Sequence, residues 1–333
     1  MTSVSGRTRV AVVGTGNWGR QHARIFSRRL DTELVAIVGR TPSRTEERAA
    51  EYEATAYTDL DEMLATARPD LVTVCLPNEG HYETTLRLVD SGVPLLVEKP
   101  LVFSMDEADE LLRRAELRES FFAINFNHRF AEPFVRAKSL IDAGELGETV
   151  FATWRFGGEA NHGTSPDANI IETQCHGFDM LEHLVGPIAS VAAQVTNMTY
   201  GARSTVAIAV EFQGGAVGTL LGSYDSSYAY PDSQLVEING TRGRLVIRDT
   251  VRELSFSRIG DETESVWRAG YFNDEARSFH ATFDRHVDQI LVALRAGLQP
   301  PVHAAAGRRA LSLAVDSVES HRSGRRIQTT PRS

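Results

Sequence analysis

Two hydrophobic patterns succeed one another along the chain. Up to about residue 118, short continuous apolar runs alternate with stretches of helical spacing. Residues 9–13, 33–38, 70–76 and 94–97 are such runs, the form taken by strands buried on both faces of a parallel sheet. Residues 20–30, 43–54, 59–64, 81–90 and 104–118 lie between or after them with the three-to-four spacing of helices. Ser43, with Glu46 three residues on, has the spacing of a capping box. Pro77 stops a strand and Gly92 stops a helix. Strand and helix alternating over short links predict a doubly wound parallel sheet.

A period of two takes over at residues 150–156 and returns at 191–198, 206–212, 216–224, 235–238 and 244–247. One helix is predicted between the first two of these, over 170–185, ended by Gly186-Pro187. Two more are predicted over 274–296 and 304–323. Consecutive alternating strands favour a large, open, mostly antiparallel sheet with a helix on one face. The expected fold class is therefore α/β: a Rossmann-type domain over residues 1–128, then an α/β domain over 129–333.

Composition narrows the partners. With 333 residues, 42% of them hydrophobic, each half has material for its own core. No stretch approaches the ~20 apolar residues of a membrane helix. Residues 1–9 lack the apolar region of a secretory signal, and Cys75 and Cys175 are too few for a disulfide framework. A cytoplasmic protein is expected. The net charge of −9, with no long basic run, argues against nucleic acid. The expected partner is a small molecule, with neither nucleic acid nor membrane.

Chemistry begins at Gly14-Thr-Gly-Asn-Trp-Gly19, a G-x-G-x-x-G sequence between a buried strand and a helix. Alone the motif is weak, but its strand–helix setting is that of a dinucleotide site. Gly14 would permit the tight turn, Gly16 would let a pyrophosphate approach, and Gly19 would allow close packing. Asn17 and Trp18 complete the loop. After the second strand come Arg40, Thr41, Ser43 and Arg44, with no carboxylate at the turn. Two arginines and two hydroxyls suit a 2′-phosphate, so NADP is expected in preference to NAD.

Further along, the chain resembles a known family. Pro77-Asn78-x-x-His81, Val97-Glu98-Lys99-Pro100-Leu101, Asn125-Phe-Asn127-His-Arg129-Phe130 and Glu172-x-Gln-x-His176-x-x-Asp179 stand in order. Together they resemble the Gfo/Idh/MocA oxidoreductases, named for glucose–fructose oxidoreductase, inositol dehydrogenase and a rhizopine-catabolism protein. The resemblance implies hydride transfer between a nicotinamide and a carbinol carbon of a sugar, sugar derivative or cyclitol. It implies Lys99 and His176 as the catalytic pair, with Glu172 beside them. It also places Leu76, Pro77, Asn78, His81 and Glu98 around the cofactor, and implies a homodimer or homotetramer.

The chemistry is coherent without the family. A secondary alcohol loses hydride only as its hydroxyl proton leaves, which requires a positioned base. A neutral imidazole such as His176 serves near pH 7, and the Lys99 ammonium stabilises developing alkoxide. Asn127, Arg129, Arg155, His162 and the loop from Tyr224 to Tyr230 offer polar and aromatic contacts for a sugar. Glu172 stands where many relatives have Asp, and Gln174 where many have Gly. On a regular helix Glu172 and His176 would share a face. A metal on the stripe Glu172, His176, Asp179 and His183 is disfavoured, because one straight helix spreads those residues over about three turns. Two other classes stay open: a glycoside hydrolase or lyase using tightly held NAD in transient internal redox, and a non-catalytic dinucleotide-binding regulator.

Overall fold

The computed structural model describes residues 6–158, 165–196, 198 and 203–329. They form two compact units, the first built from residues up to Asn125 with His286–Arg308, the second from Phe126–Arg285 with the residues from Arg309.

The first unit opens with β1 (Thr8–Val13), α1 (Asn17–Arg28), β2 (Thr32–Val38), α2 (Pro42–Glu51), β3 (Thr55–Tyr57) and α3 (Leu60–Ala67). It continues with β4 (Leu71–Val74), α4 (His81–Ser91), β5 (Leu95–Val97), α5 (Met105–Leu117) and β6 (Phe122–Ile124). The six strands lie in the order β3-β2-β1-β4-β5-β6, all parallel. This is the strand order of a dinucleotide-binding Rossmann sheet. Every residue of β4, β5 and β6 is buried, as expected of strands covered on both faces. The sequence pattern missed β3 and β6, whose three residues each are too short to show a period.

The boundary differs from the expected 128/129 because residues 286–308 return to the first unit. There Ile124 N–H donates to Val302 at 3.1 Å and Ala304 N–H to Phe122 at 2.9 Å. The return satisfies backbone groups on the outer edge of β6, a need that no local periodicity reveals.

In the second unit α6 (Glu132–Asp142) is opened by Pro133, and β7 (Thr149–Gly157) follows. Then come α7 (Cys175–Leu184), β8 (Ile188–Thr196), β9 (Thr205–Phe212), β10 (Val217–Ser223), β11 (Gln234–Gly240) and β12 (Gly243–Arg248). The later elements are β13 (Glu253–Arg258), β14 (Glu264–Arg268), α8 (Asp274–Arg277), α9 (Ala281–Arg295), α10 (Ala305–Ser323) and β15 (Ile327–Gln328). Nine strands form one sheet, β14-β13-β12-β11-β7-β10-β9-β8-β15, with only β7 and β10 parallel. Residues alternate between buried and exposed along β9 and β10, so one face is core and the other is open. The buried face carries Trp154, Val206, Ile208, Val210 and Leu220. β14, the short edge strand, is mostly exposed and carries charge at both ends.

Two predicted helices are interrupted. Residues 274–296 divide into α8 and α9, with Asn273 capping the first through Ala276 N–H at 3.0 Å and an extended Ser278 ending it. The predicted 170–185 helix begins as a π turn, Asn169–Thr173, and becomes α-helical only at Cys175. A Cβ on Gly177 would lie 2.6 Å from Trp154 Nε1, so glycine there is what lets α7 rest directly on the sheet.

Candidate active site

In an open parallel sheet, ligands bind beyond the carboxyl ends of the strands. The first unit assembles its predicted residues at that edge. After β1 the chain turns at Gly14, whose φ of +120° is a glycine conformation. A Cβ there would stand 2.4 Å from the Cys75 carbonyl oxygen, and one on Gly19 would stand 2.0 Å from the Gly14 carbonyl oxygen. The close packing expected of Gly19 is therefore against the turn itself. Gly16 differs: a Cβ on it meets nothing within 4 Å.

Gly16 is also the N-cap of α1, with no side-chain cap and no acidic residue in the first turn. The first helical bond runs from Arg20 N–H to Gly16 at 2.8 Å. Helix geometry thus leaves the leading N–H groups and the positive end of the dipole directed at whatever lies over the loop. Asn17 and Trp18 are exposed beside it. A second observation fits the same ligand. His81, the first residue of α4, donates from Nδ1 to the Leu76 carbonyl at 3.2 Å. Its Nε2 is buried with no hydrogen-bond partner among the described residues. Burial pushes this imidazole below its usual range, which keeps the ring neutral at pH 7. A bare helix N-terminus, an open Gly16 and an unsatisfied ring nitrogen fit a dinucleotide pyrophosphate and its polar groups.

Beyond β2 the structure corrects one expectation. Thr41, not Ser43, is the N-cap of α2, because Pro42 opens the helix and carries Ser43 into its first turn. The capping box therefore does not form. Arg40, Thr41, Ser43 and Arg44 are all exposed, and Arg40 pairs with Glu79 at 3.2 Å. Pro77 and Asn78 are exposed after β4.

Lys99 follows β5 and is half-buried, and its peptide with Pro100 is cis. Glu98 beside it turns inward and is 4% exposed. Its Oε1 accepts from His22 Nε2 and from Asn125 Nδ2, each at 2.7 Å. His22 Nδ1 lies 2.8 Å from Thr73 Oγ1, which lies 3.4 Å from Cys75 Sγ. His286 Nδ1 donates to Asn125 Oδ1 at 2.8 Å. Burial opposes charge on His22, but Cys75 and Glu98 around it raise the ring to about 10. Glu98, penalised by burial, is held below its usual range by the His22 and Asn125 contacts.

The second unit holds the other group. His176, in the first turn of α7, is buried, and its ring lies against His128 with centroids 4.2 Å apart and planes tilted by 31°. Phe126 meets the same imidazole edge-on at 5.8 Å. Phe134, Trp154, Phe156 and Phe279 surround His128 at 5.5 to 6.5 Å. Arg129 gives Nε to Asp179 at 2.8 Å and Nη2 at 2.5 Å, a fork that ties the turn at residues 127–130 to α7. Asn127 donates to Thr282 at 2.7 Å. Asn127 and Arg129, two of the residues expected at the substrate, thus make these contacts within the second unit. Arg155 is exposed and donates to the Asp232 carbonyl. His162 lies outside the described residues.

The π turn also changes the expected Glu172–His176 face. Glu172 lies in that turn and His176 in the first turn of α7, so the two stand on different elements. Around the break, Gln174 accepts from Trp154 Nε1 at 3.3 Å and donates to Asn169 Oδ1 at 3.0 Å. Thr173 and Tyr224 share a 2.8 Å hydroxyl contact, and burial raises the phenol to about 12. Sequence reasoning missed His22, Thr73, His128 and His286. For His22 a signal existed, since it lies on the apolar face of α1 three residues after Gly19.

The glycine contrast gives a direct test. Gly19→Ala forces a clash with backbone and is expected to lower stability by about 1–3 kcal/mol as overpacking does. Gly16→Ala is expected to leave the melting temperature unchanged while weakening NADH binding about tenfold or more, measured by fluorescence titration. Equal NADH affinity in Gly16→Ala and wild type would contradict the placement of the pyrophosphate.

Residues 8–126 match a family described as an oxidoreductase family with an NAD-binding Rossmann fold, and residues 134–246 match the GFO/IDH/MocA C-terminal domain. Over 149 residues, 44% of this chain and 42% of the relative, it is 34% identical to D-glucoside 3-dehydrogenase of Escherichia coli. It is 24% identical to inositol 2-dehydrogenase of Rhizobium meliloti over 96% of this chain and 98% of that one. Levoglucosan dehydrogenase in complex with NADH and levoglucosan shares the fold, with a TM-score of 0.89 at 17% identity over 98% of this chain and all of that one. With both halves matched in order, the chain is a member of the GFO/IDH/MocA family of NAD-binding oxidoreductases.

Proposed function

We propose that this enzyme moves a hydride between NAD(P) and a secondary alcohol or ketone carbon of a sugar, sugar derivative or cyclitol. One observation carries the reading: the open glycine loop and Lys99 stand at the carboxyl edge of one parallel sheet. An ammonium at that edge is placed for chemistry beside a bound dinucleotide. The relatives named above act on a glucoside or an inositol by their names, and this supports a polyhydroxylated substrate.

When bound, the nicotinamide supplies the hydride acceptor or donor. His176 takes the hydroxyl proton as the carbon–hydrogen bond breaks, and returns it in reduction. Its ring is packed between His128 and Phe126, so it acts from a fixed orientation. The Lys99 ammonium donates a hydrogen bond to the same oxygen and stabilises the charge that develops there. Glu172, just ahead of α7, is assigned to a substrate hydroxyl.

NADP is the proposed preference, supported by exposed Arg40, Thr41, Ser43 and Arg44 and by the absence of a carboxylate at the end of β2. The second unit is proposed to pair with another copy through its open sheet face. Val217 and Leu221 there are 55% and 39% exposed.

Three measurements check these readings. Against a panel of polyols followed at 340 nm, Lys99→Met and His176→Asn are each expected to lower kcat by about 10²-fold or more with dinucleotide affinity unchanged. Full turnover in either variant would remove that residue from the mechanism. NADPH is expected to bind more tightly than NADH in wild type and to lose that advantage in Arg40→Ala/Arg44→Ala; equal affinities in wild type would overturn the preference. Light scattering at micromolar concentration is expected to give a dimer or tetramer, and a monomer mass would reject the sheet-face interface.

A further inference from the structure

Glu98 and Lys99 are neighbours with opposite surroundings. Lys99 is half-buried at the edge of the sheet, whereas Glu98 runs back into the interior. A buried carboxylate is costly unless it is paired and hydrogen-bonded. This one receives two donors, and the chain of contacts extends on both sides. His286 Nδ1 donates a hydrogen bond to Asn125 Oδ1, and Asn125 Nδ2 donates one to Glu98 Oε1. From the other direction His22 gives one to Glu98 through Nε2. His22 Nδ1 faces Thr73, and Thr73 faces Cys75. Residues of α9, β4 and α1, and those just beyond β4, β5 and β6, thus meet in one buried polar chain.

Two chemistries suit these side chains. His22, Cys75 and Glu98 hold donor atoms within 4.8 Å of one another, a grouping able to bind a small metal ion. The hydrogen bonding favours the other. Both His22 nitrogens are engaged, Nε2 by the Glu98 carboxylate and Nδ1 by the Thr73 hydroxyl. A metal on either nitrogen would displace one of those partners. The ring's shift to about 10 points the same way, since it keeps His22 charged through neutral pH.

We propose that the buried His22–Glu98 ion pair is a positioning device for Lys99. The backbone at this strand end is held by Glu98 N–H on Val74 at 2.9 Å and by Asn125 N–H on Val97 at 2.8 Å. Those bonds link strand to strand. The His22–Glu98 pair adds a link to α1, whose first turn carries the glycine loop. It therefore fixes the Lys99 backbone relative to the loop that would hold the dinucleotide. His22 and Glu98 touch no reacting atom in this scheme; they act through Lys99. The inference rests on the reading of Lys99 as the residue beside the reacting oxygen.

The test uses the full-length protein with His22→Gln, Glu98→Gln and the double variant. Removing one member strands a buried charge, whereas removing both replaces the pair with neutral amides. The single variants are expected to melt lower, and the double variant within about 3 °C of wild type. Despite that recovery, the double variant is expected to keep a kcat about tenfold or more below wild type on the best polyol, with KM and the NADH dissociation constant within about twofold. Restoration of kcat together with stability would reduce the pair to a structural role and overturn the proposal.

Two readouts need no substrate. The rate at which trinitrobenzenesulfonate labels Lys99, read by mass spectrometry, is expected to differ about threefold or more between double variant and wild type. An unchanged rate overturns the proposal. A changed rate with no polyol turned over leaves the positioning intact and rejects the dehydrogenase reading instead. In ¹³C-histidine NMR spectra of wild type, His22 is expected to remain protonated from pH 6 to 9, titrating at about 10. Titration near the ordinary 6.5 overturns the ion pair. Stoichiometric zinc that is lost in Cys75→Ala overturns it as well, in favour of a metal centre.

Discussion

The first unit depends on one close approach, the first turn of α1 against the carbonyl of Gly14. Gly19 permits it by having no Cβ, and Gly14 permits its own contact with Cys75 in the same way. Together they bring the start of α1 and the end of β4 against a single turn. Gly16 is then left as an open N-cap, with no side chain competing for the helix N–H groups. Backbone N–H groups at such a helix start suit an anion.

The second unit positions its imidazole by packing rather than by backbone. Gly177 lets α7 rest on Trp154, and the Arg129–Asp179 fork ties the same helix to the turn that carries His128. The close contact of His128 with His176 follows from these two anchors. A buried fork of this kind contributes only because both charges are satisfied; either one alone would be a liability. Arginine suits it better than lysine, since its planar donors match both carboxylate oxygens.

Much of this was legible in the sequence. The continuous apolar runs at β1, β2, β4 and β5 announced a parallel sheet, and the alternation at β7 to β12 announced a sheet with one open face. Lys99 and His81 could be placed because each follows a strand stopped or flanked by proline. What could not be read were features set by distant partners. Residues 286–308 return to cover β6, and no local pattern carries that. The π turn before α7 keeps an apolar helical spacing, so the sequence shows one continuous helix where the structure has two elements. Arg129 and Asn127 look like substrate contacts on a polar turn. In the structure they bond Asp179 and Thr282, partners 50 and 155 residues away that no local pattern reveals. The partner of His22, Glu98, is 76 residues on.

The central claim is that this chain passes hydride to a freely exchanging dinucleotide and so carries out net redox chemistry. Bulk cofactor turnover measures this most directly. Protein freed of bound nicotinamide would be incubated with a large excess of NADP or NAD and a polyol that it accepts. The account predicts reduced dinucleotide accumulating over many equivalents of enzyme, matched mole for mole by a ketone in the product. If nicotinamide stays bound at one equivalent and glycosides are cleaved with no net change at 340 nm, the account is contradicted.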